Sequence, residues 1–530
     1  MDERKKIAVS ALWVSLGTLV TRIFGLLREV AMAALFGTGV AADAFSVAFR
    51  FPNLLRNLVG EGALSAAFLP KFSEVESREG PEAAFRMASA VFTALFAALI
   101  VICSLGILFA PQLISIIVIG WRDDPARKLL AIKLVRILFT YAGFMGLAAY
   151  CHAILNAHRR FFVSSVAPAF MNIAWLLGTG VAGLFLSSET GRIETVAVFV
   201  VAGSALQFLW QFIWMKRTGW NFSWSLKSRW HDLIEVGTLL LPSLLALASF
   251  QLNYFADVLL ASLLPGGSVS SLTYANRLLY LPLGLLGYAI ATATLPSLSV
   301  SAALEERGDL AKLLSYTVRS IFTLLLPIAL VTITLRTEIV SLLFERGSFD
   351  AARSTPMVSW ALMFYMIGLP FLGLARGLTQ GFYALKNTLT PVLITVTGVV
   401  VNIELSIIFM YYLDHGGLAL GTSLTAIFTV TLLMYHLKLL LPEFNLRPVL
   451  SNIARVTGAG AVSALGAWLF ARYISREMIT AVPFLTKLAH LALPTIVFFA
   501  IFLLFSKIFA IREVREVSSR AMKRLFARKS

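Results

Sequence analysis

Long apolar stretches, separated by short polar or charged connections, follow one another along the whole chain. An α-helix needs roughly 20 apolar residues to cross the hydrocarbon core of a bilayer, and most of these stretches reach that length. The pattern therefore predicts about fourteen transmembrane helices, with boundaries good to several residues. The predicted segments are 7–36, 40–69, 84–117, 129–156, 161–187, 194–215, 232–264, 268–299, 311–344, 355–385, 389–413, 417–441, 452–474 and 483–509.

The composition agrees with this pattern. Hydrophobic residues make up 58% of the chain and charged residues only 14%, and the mean hydropathy is +0.82. Soluble domains are usually about 45–50% apolar and about 25% charged. The chain is therefore predicted to be an all-α integral membrane protein. The first apolar stretch has no small-residue cleavage site before Arg22, so we expect it to be a membrane helix and not a cleaved leader.

The basic residues predict the orientation. If the N-terminus is cytoplasmic, the inner connections carry more Lys and Arg than the outer ones, as the positive-inside rule requires. The outer connections hold, among others, Arg122, Arg127, Arg336 and Arg472. Both termini are therefore predicted to be cytoplasmic, and this distribution explains the net charge of +17 without nucleic-acid binding. The basic tail 511–530 is either a helix on the inner membrane surface or a solvated tail that only sets topology.

Two parts of the chain align with later parts. The stretch 48–73 aligns without a gap on 274–299, and 152–173 aligns on 382–403, with similar offsets of about 226–230 residues. Two similar halves facing a central cavity are typical of transporters. We therefore predict two pseudo-symmetric six-helix lobes and an extra helix pair. The predicted parts are an N-terminal lobe (1–220), a C-terminal lobe (221–445), helices thirteen and fourteen with a hydrophobic groove (446–510) and a cytoplasmic tail (511–530).

Several charged residues lie inside predicted membrane segments. An arginine at the centre of a membrane helix costs about 2.5–3.5 kcal/mol on insertion scales, so a group of them indicates water, a counter-charge or an anionic ligand. The alternative for each arginine is snorkelling from a helix end, above all for Arg28 and Arg50. The intramembrane polar residues are Arg22 and Arg28 in the first segment, Asp43, Arg50, Arg56 and Glu61 in the second, and Asn276 and Arg277 in the eighth.

The charged residues inside the predicted membrane segments include more arginines than acids, so their net charge is positive. Asp43 and Glu61 are expected to neutralise arginines in part. Arginine offers a planar donor fork that matches phosphate oxygens, so the predicted ligand is an amphiphile with a phosphate or pyrophosphate head. The sequence contains no GxxxxGK[ST], HExxH or GxSxG motif. We therefore expect a transporter and not an enzyme, driven by an ion gradient, the membrane potential or the substrate gradient.

A second polar group lies in later segments. Asp257 is in the seventh, Asn402 and Glu404 are in the eleventh, and Thr422 is in the twelfth. Carboxylate, amide and hydroxyl oxygens can bind Na⁺ or carry a proton. The alternative is hydrogen bonding between helices.

One long stretch resembles a known family. RIFGLLREVAMAALFGTGVAADAFSVAFRFPNLLRNLVGEGALSAAFLPKF (22–72) is similar to the N-terminal signature of the MurJ (MviN) family of bacterial lipid II flippases, which belong to the multidrug/oligosaccharidyl-lipid/polysaccharide (MOP) exporters. Further similar stretches cover both halves in order. They are ILNAHRRFFVSSVAPAFMNI (154–173), YANRLLYLPLGLLGYAIATATLPSLS (274–299), LLFERGSFDA (342–351) and GFYALKNTLTPV (381–392).

The resemblance implies a function in cell-wall biogenesis. The chain would move lipid II, the undecaprenyl-pyrophosphate-linked disaccharide-peptide, from the inner to the outer leaflet of the cytoplasmic membrane by alternating access. Its partners would be lipid II, membrane lipids and the cell-wall synthesis machinery, and its last two helices would hold the polyprenyl tail. The family's cavity arginines match Arg22, Arg28, Arg56 and Arg277, and its helix-two acids match Asp43 and Glu61.

Two positions differ from the pattern of some family members. Asn276 stands where those members have an acid before the eighth-helix arginine. Their Na⁺ site matches Asp257, Asn402 and Thr422, but its second acid aligns with Ser406. No cofactor is expected. Na⁺ at this site stays an alternative to hydrogen bonding between helices, and the missing second acid argues against sodium coupling.

Two other functions are consistent with the hydropathy pattern. One is another MOP-class exporter, of a different undecaprenyl-linked oligosaccharide or of a drug; a cationic drug would call for acids at the cavity centre, where this chain has arginines. The other is a non-transporting cell-wall scaffold. Scaffolding needs no charged residues in the membrane interior, which are costly to place there.

Overall fold

The computed structural model describes residues 3–60, 63–158, 160–223, 229–477 and 483–516. These residues form helices and short connections, with no strand in the described ranges. In chain order the helices are α1 (Glu3–Phe36), α2 (Val40–Gly60), α3 (Ala63–Glu79), α4 (Pro81–Leu108), α5 (Ala110–Ile117), α6 (Pro125–Ala157), α7 (Phe161–Phe185), α8 (Glu189–Lys216), α9 (Trp230–Ser262), α10 (Ser268–Pro282), α11 (Tyr288–Ala303), α12 (Arg307–Thr334), α13 (Arg336–Phe344), α14 (Ser354–Ala384), α15 (Leu389–Leu413), α16 (His415–Leu440), α17 (Leu446–Glu477) and α18 (Pro483–Ile508).

The fold class is confirmed: the described chain is all-helical and suited to a membrane. Within the described residues, eleven helices are long and apolar enough to cross a bilayer, counting α10 and α11 as one helix over Ser268–Ala303. The helices α1, α2 and α9 are also long, at 34, 21 and 33 residues. They are not among the eleven, so the predicted count of fourteen is not confirmed.

Besides 268–299, which covers α10 and most of α11, three predicted segments each contain two helices. The segment 40–69 covers α2 and part of α3, the segment 84–117 covers α4 and α5, and the segment 311–344 covers α12 and α13. At Phe109 the backbone leaves helical geometry, and Pro111 then lies in the first turn of α5, where proline is well tolerated. An apolar run does not reveal such a break, because both helices are hydrophobic.

The chain divides into two compact units. The first comprises Met1–Ser270 together with Arg346–Phe349, and the second comprises Ser271–Glu345 and Asp350–Ser530. In the first unit, α7 packs on both α1 and α8, and α6 packs on α2, α4 and α8. The predicted lobes, with a boundary at 220, stay a prediction.

The first unit has an aromatic core at the α3, α4 and α6 contact. Phe68 and Phe72 are fully buried there against Tyr150 of α6, and Trp220 closes the cluster. The Tyr150 hydroxyl donates a 2.6 Å hydrogen bond to the Ala88 carbonyl. Because a buried phenol needs such a partner, this bond fixes the register of α6 on α4.

In the second unit, α14 is the central helix and packs on α11, α12, α13 and α16. Glycines four residues apart let α12 approach α14 closely. A Cβ added at Gly373 would lie 2.4 Å from Leu325, and one added at Gly377 would lie 2.8 Å from Ile321. Membrane helices associate largely through such small-residue contacts, so this contact rigidifies the unit.

The long helix over Ser268–Ala303 is interrupted by a π-helical turn at Leu283–Gly287. Such turns are rare and occur frequently at functional sites. Here the turn lies between Arg277 and Tyr288.

Candidate substrate-binding site

Arg28 of α1 is buried and held by α7. Its guanidinium donates a 2.7 Å hydrogen bond to Asn172 Oδ1 and lies 4.1 Å from the ring centroid of Trp175. It also forms a 3.2 Å ion pair with Glu29. A cation stacked on an indole and bonded to an amide is held in one orientation. The head group of Arg28 is therefore packed inside the first unit.

Aromatic rings of α2 continue this packing. Phe45 and Phe49 both lie edge-on to Trp175, with ring centroids 5.3 Å and 5.2 Å away. Asn172 in turn donates from its Nδ2 to the backbone carbonyl of Thr21 on α1. The side chain of Arg28 is thus positioned by three helices, α1, α2 and α7.

Arg22 and Arg56 are both half-buried, on α1 and α2 respectively. Arg56 donates from Nε to Asn53 at 2.9 Å and also donates to Asn57. Both asparagines are on the same helix as Arg56, so these bonds orient the guanidinium along α2. Arg22 has no hydrogen-bond or ion-pair partner among the described residues, and it is the least constrained of the three.

Asp43 of α2 is completely buried and pairs with Arg127 at the start of α6. The Arg127 guanidinium also lies 4.0 Å from the ring centroid of Trp121. The arginine that neutralises Asp43 is therefore one that the sequence analysis assigned to an outer connection. Sequence reasoning missed it because 84 residues separate the partners.

The same carboxylate binds the start of α10. It accepts 2.7 Å hydrogen bonds from the backbone amides of Gly267 and Ser270. The first amides of a helix have no partner within it, and a carboxylate is favoured by their partial positive charge. Asp43 thus acts as a cap supplied by a different helix, and it ties α2, α6 and the α9–α10 turn together.

Arg50 faces α9. Its guanidinium lies 5.5 Å from the ring centroid of Tyr254 and is close enough to Asp257 for a charge interaction. Asp257 Oδ1 and Asn253 Oδ1 are both buried and accept no hydrogen bond within the described part of the chain. Arg50 is therefore paired with α9 in the first unit, which favours a counter-charge role over that of a simple membrane anchor.

In the second unit, Arg277 is exposed on α10 and Asn276 is half-buried beside it. The neighbouring Tyr274 is buried against Phe344, with ring centroids 5.4 Å apart. Tyr274 and Arg277 are three residues apart on one helix. The tyrosine anchors α10, and the arginine is left accessible.

Sequence reasoning missed Arg376. This residue is exposed on α14, and its guanidinium lies 5.4 Å from the ring centroid of Tyr288, directly after the π-helical turn. The available signal was an arginine inside the apolar run of residues 355–385. An arginine inside a membrane segment is costly to insert, and this cost is why the other intramembrane arginines are candidates for binding an anionic ligand. Arg376 is a candidate for the same reason.

The second polar group is divided between the units: Asp257 belongs to the first, and Asn402 and Thr422 belong to the second. Asn402 Nδ2 donates to Thr422 Oγ1 at 3.5 Å, across the α15–α16 contact. Asn402 Oδ1, Ser406 Oγ and Thr425 Oγ1 are buried without a hydrogen-bond partner in the described ranges. Glu404 is exposed on α15.

Other predicted features fall partly or wholly outside the described residues. Glu61 lies in the gap between α2 and α3, and most of the basic tail lies beyond residue 516. The described start of the tail is anchored: Glu513 is buried, pairs with Arg319 at 3.1 Å and accepts a 3.0 Å hydrogen bond from Asn452. Across the described ranges, no group of three or more His, Cys, Asp or Glu could hold a metal ion.

Comparison with known proteins identifies the family. The family model described as lipid II flippase MurJ matches residues 32–504. A probable lipid II flippase MurJ of Vibrio cholerae is 33% identical over 470 residues, which cover 86% of this chain and 88% of that protein. The chain belongs to the lipid II flippase MurJ family.

Solved structures agree with this assignment. A structure of lipid II flippase MurJ in an inward closed conformation has a TM-score of 0.77 and 27% identity, covering 94% of this chain and 98% of that one. An inward-facing multidrug resistance MATE family transporter of the MOP superfamily has a TM-score of 0.62 at 15% identity and covers 81% of this chain and 98% of that one. At that identity the second match shows the fold alone.

Membership of the MurJ family has two direct consequences. The chain is a multi-pass protein of the bacterial inner membrane, consistent with its eleven apolar helices in the described residues. It is also a member of a transporter family.

Proposed function

We propose that this protein moves lipid II from the inner to the outer leaflet of the cytoplasmic membrane by alternating access. Membership of the lipid II flippase MurJ family supports this function. The structural observation that carries it is the buried Arg28, held by Asn172 and Trp175 at the contact of α1 and α7. Such a costly arrangement in a membrane protein is favoured where an anionic group must be bound.

The proposed pyrophosphate ligands are arginines on three helices. Arg22 and Arg28 lie on α1, Arg56 on α2 and Arg277 on α10. A pyrophosphate presents several oxygens, and planar guanidinium groups can each bind two of them. Since Arg28 is held most tightly, we assign it to orienting the head group, and we assign the half-buried Arg22 and the exposed Arg277 to first capture.

For Asp43 we propose a gating role. Its carboxylate holds Arg127 of α6 and two amides at the start of α10, so movement of α2 away from both elements breaks three interactions together. A buried carboxylate that loses its partners is strongly destabilised. The contact therefore acts as a two-state latch. Glu61 is proposed as a second gating acid by its resemblance alone, since it lies outside the described residues.

For coupling we propose a Na⁺ site that includes Asn402 and Thr422. The bond between these two residues and the unpartnered oxygens of Asn402, Ser406 and Thr425 support it. Amide and hydroxyl oxygens suit hard cations. By the resemblance alone, the proposed acid is Asp257, which belongs to the first unit and faces Arg50 there. A dependence of transport on Na⁺ that is lost in both Asn402→Leu and Asp257→Asn would support the proposal. Equal transport by the wild type with and without Na⁺ contradicts it.

Two further proposals concern the setting. We propose that both termini are cytoplasmic, because Lys and Arg are concentrated in the connections on that side. We also propose contact with the cell-wall synthesis machinery, which consumes lipid II on the outer face. The orientation is tested with a variant that lacks Cys103 and Cys151 and carries a single engineered cysteine in the tail. Intact cells are treated with a membrane-impermeant thiol reagent, and labelling of the tail cysteine is measured. Labelling of the tail in intact cells contradicts it.

Complementation tests the central proposal. A bacterium depleted of its own flippase is supplied with the wild type or with Arg22→Ala, Arg28→Ala, Arg56→Ala or Arg277→Ala, and membrane expression is checked for each. The matched control is Arg122→Ala, an exposed arginine outside this group. We expect each of the four to fail while the control supports growth. Normal growth with all four variants contradicts the proposal.

A further inference from the structure

A pocket of about 680 Å³ lies within the second unit. It is formed where α12 gives way to α13 and α17 runs alongside. The residues that matter for its chemistry are Arg336, Thr337 and Glu338 of α13, and Trp468 and Arg472 of α17. None of these residues belongs to the proposed substrate or cation sites.

The pocket lies at the end of two membrane spans. The apolar span of α12 stops at Thr334, and that of α17 stops at Ile474. On α17, Leu465 and Leu469 are more than half exposed on either side of the partly exposed Trp468. A tryptophan flanked by exposed leucines, with an arginine one turn further on, is typical of the headgroup level of a bilayer. The pocket therefore opens where lipid headgroups lie.

The two arginines are held in defined positions. Arg472 stacks on Trp468, with its guanidinium 4.0 Å from the ring centroid. Arg336 donates from Nη1 to the carbonyl of Ile333 at 2.9 Å. Both side chains are thus organised around the same pocket before any ligand arrives.

The backbone adds positive potential. Arg336, Thr337 and Glu338 form the first turn of the nine-residue helix α13, and the amides of a first turn have no partners within the helix. The N-terminus of a helix favours anions. Together with the two guanidinium groups, this makes the pocket a suitable environment for a phosphate.

Glu338 determines which kind of phosphate group suits the pocket best. Its carboxylate reduces the side-chain charge of the pocket from two positive charges to one. A single excess charge matches a phosphodiester, which carries one negative charge, better than it matches inorganic phosphate or a pyrophosphate. The lipid-facing leucines next to the pocket suit the acyl chains attached to such a phosphodiester.

We propose that this pocket binds the headgroup phosphate of a membrane phospholipid. The bound lipid bridges α17 to the α12–α13 junction. Loss of one arginine near a membrane surface weakens the attraction to an anionic headgroup by about 1 kcal/mol, or roughly fivefold. The two arginines are expected to contribute together.

Native mass spectrometry of the purified full-length protein tests the site, with phosphatidylglycerol titrated into the detergent. We expect the Arg336→Gln, Arg472→Gln double variant to lose one bound lipid, or to bind it at least about fivefold more weakly. Arg122→Gln, an exposed arginine of the other unit, is the matched control and should bind as the wild type does. Equal binding by the double variant and the wild type contradicts the proposal.

Two further arms keep the test informative. Glu338→Gln removes the opposing charge and is expected to bind phosphatidylglycerol more tightly, which no folding defect would produce. Diacylglycerol, which lacks the phosphate, should not occupy the site. Inorganic phosphate is added in competition, and displacement of the lipid by low millimolar phosphate would show that the site takes the free ion and would overturn the lipid as its ligand.

Discussion

Asp43 and Arg127 form an ion pair with almost no exposure to solvent: Asp43 is 0% exposed and Arg127 is 6% exposed. The pair joins the first turn of α2 to the first turn of α6. Two backbone amides at the start of α10 bind the same carboxylate. One side chain thus determines how three parts of the first unit meet.

Removal of Arg127 should destabilise the protein strongly. Arg127→Ala leaves a buried carboxylate with no counter-charge, and breaking a buried pair in this way costs about 3–5 kcal/mol. The double variant Asp43→Asn, Arg127→Ala should recover part of the loss, because no net charge remains buried. Thermal unfolding in detergent measures both. A double variant no more stable than Arg127→Ala alone would contradict this account of the pair.

Gly347 should not tolerate alanine. Its φ of 58° lies in the left-handed region, and an added Cβ would lie 2.3 Å from the Ala34 carbonyl oxygen. That oxygen accepts a 2.8 Å hydrogen bond from the Ser348 amide, so it cannot withdraw without loss. We expect Gly347→Ala to lower the free energy of unfolding by more than about 1 kcal/mol.

The matched control is Gly180→Ala in α7. Nothing lies within 4 Å of a Cβ at that position, and alanine in a helix is favoured over glycine by about 0.5–1 kcal/mol. The control is therefore expected to unfold at the same temperature as the wild type or at a higher one. Equal stability of Gly347→Ala and Gly180→Ala would show that the contact with Ala34 is unimportant.

The contact between α3 and α9 should be stable across the neutral pH range. The hydrogen bond from Arg229 holds the pKa of Glu79 below its ordinary value of 4.5. A lowered carboxyl pKa contributes stability above the ordinary value, and this is lost as the pH falls through the folded-state pKa. The hydrogen bond to Glu235 raises the pKa of Lys71 above 10.5, so its contribution is lost only as the pH rises through that raised value.

The measurement compares the melting temperature of the wild type with that of Glu79→Gln as a function of pH. The difference between them should be constant above the ordinary carboxyl pKa of 4.5 and should shrink as the pH falls towards the lowered folded-state pKa of Glu79. A difference that persists unchanged at pH 3 would mean that the Glu79 charge is not responsible.

Arg376 should matter for transport although sequence reasoning overlooked it. Its guanidinium lies over Tyr288, next to the π-helical turn of the long Ser268–Ala303 helix. We expect Arg376→Ala to reduce complementation without reducing membrane expression, and Arg376→Lys to retain part of it, because lysine keeps the cation–π contact. Full growth with Arg376→Ala would show that Arg376 is not needed for transport.

Hydropathy predicted most helices well, and α15 begins and ends at the residues expected, Leu389 and Leu413. It failed where one apolar run contains two helices, as at Phe109 and Leu335, because a break in backbone geometry need not change composition. The sequence also could not show which side chains contact each other. Arg28 meets Asn172 and Asp43 meets Arg127 through tertiary packing, which neither spacing nor periodicity encodes. The roles assigned to the four arginines stay predictions.

The central claim is transport of lipid II through an arginine-dependent site, and reconstitution tests it most directly. The purified wild type, Arg28→Ala and the control Arg122→Ala are placed in vesicles with labelled lipid II, and the label reaching the opposite leaflet is followed over time. The account predicts transfer by the wild type and the control, and at least about a tenfold slower rate for Arg28→Ala, the equivalent of about 1.4 kcal/mol. Equal rates for Arg28→Ala and the wild type would contradict it.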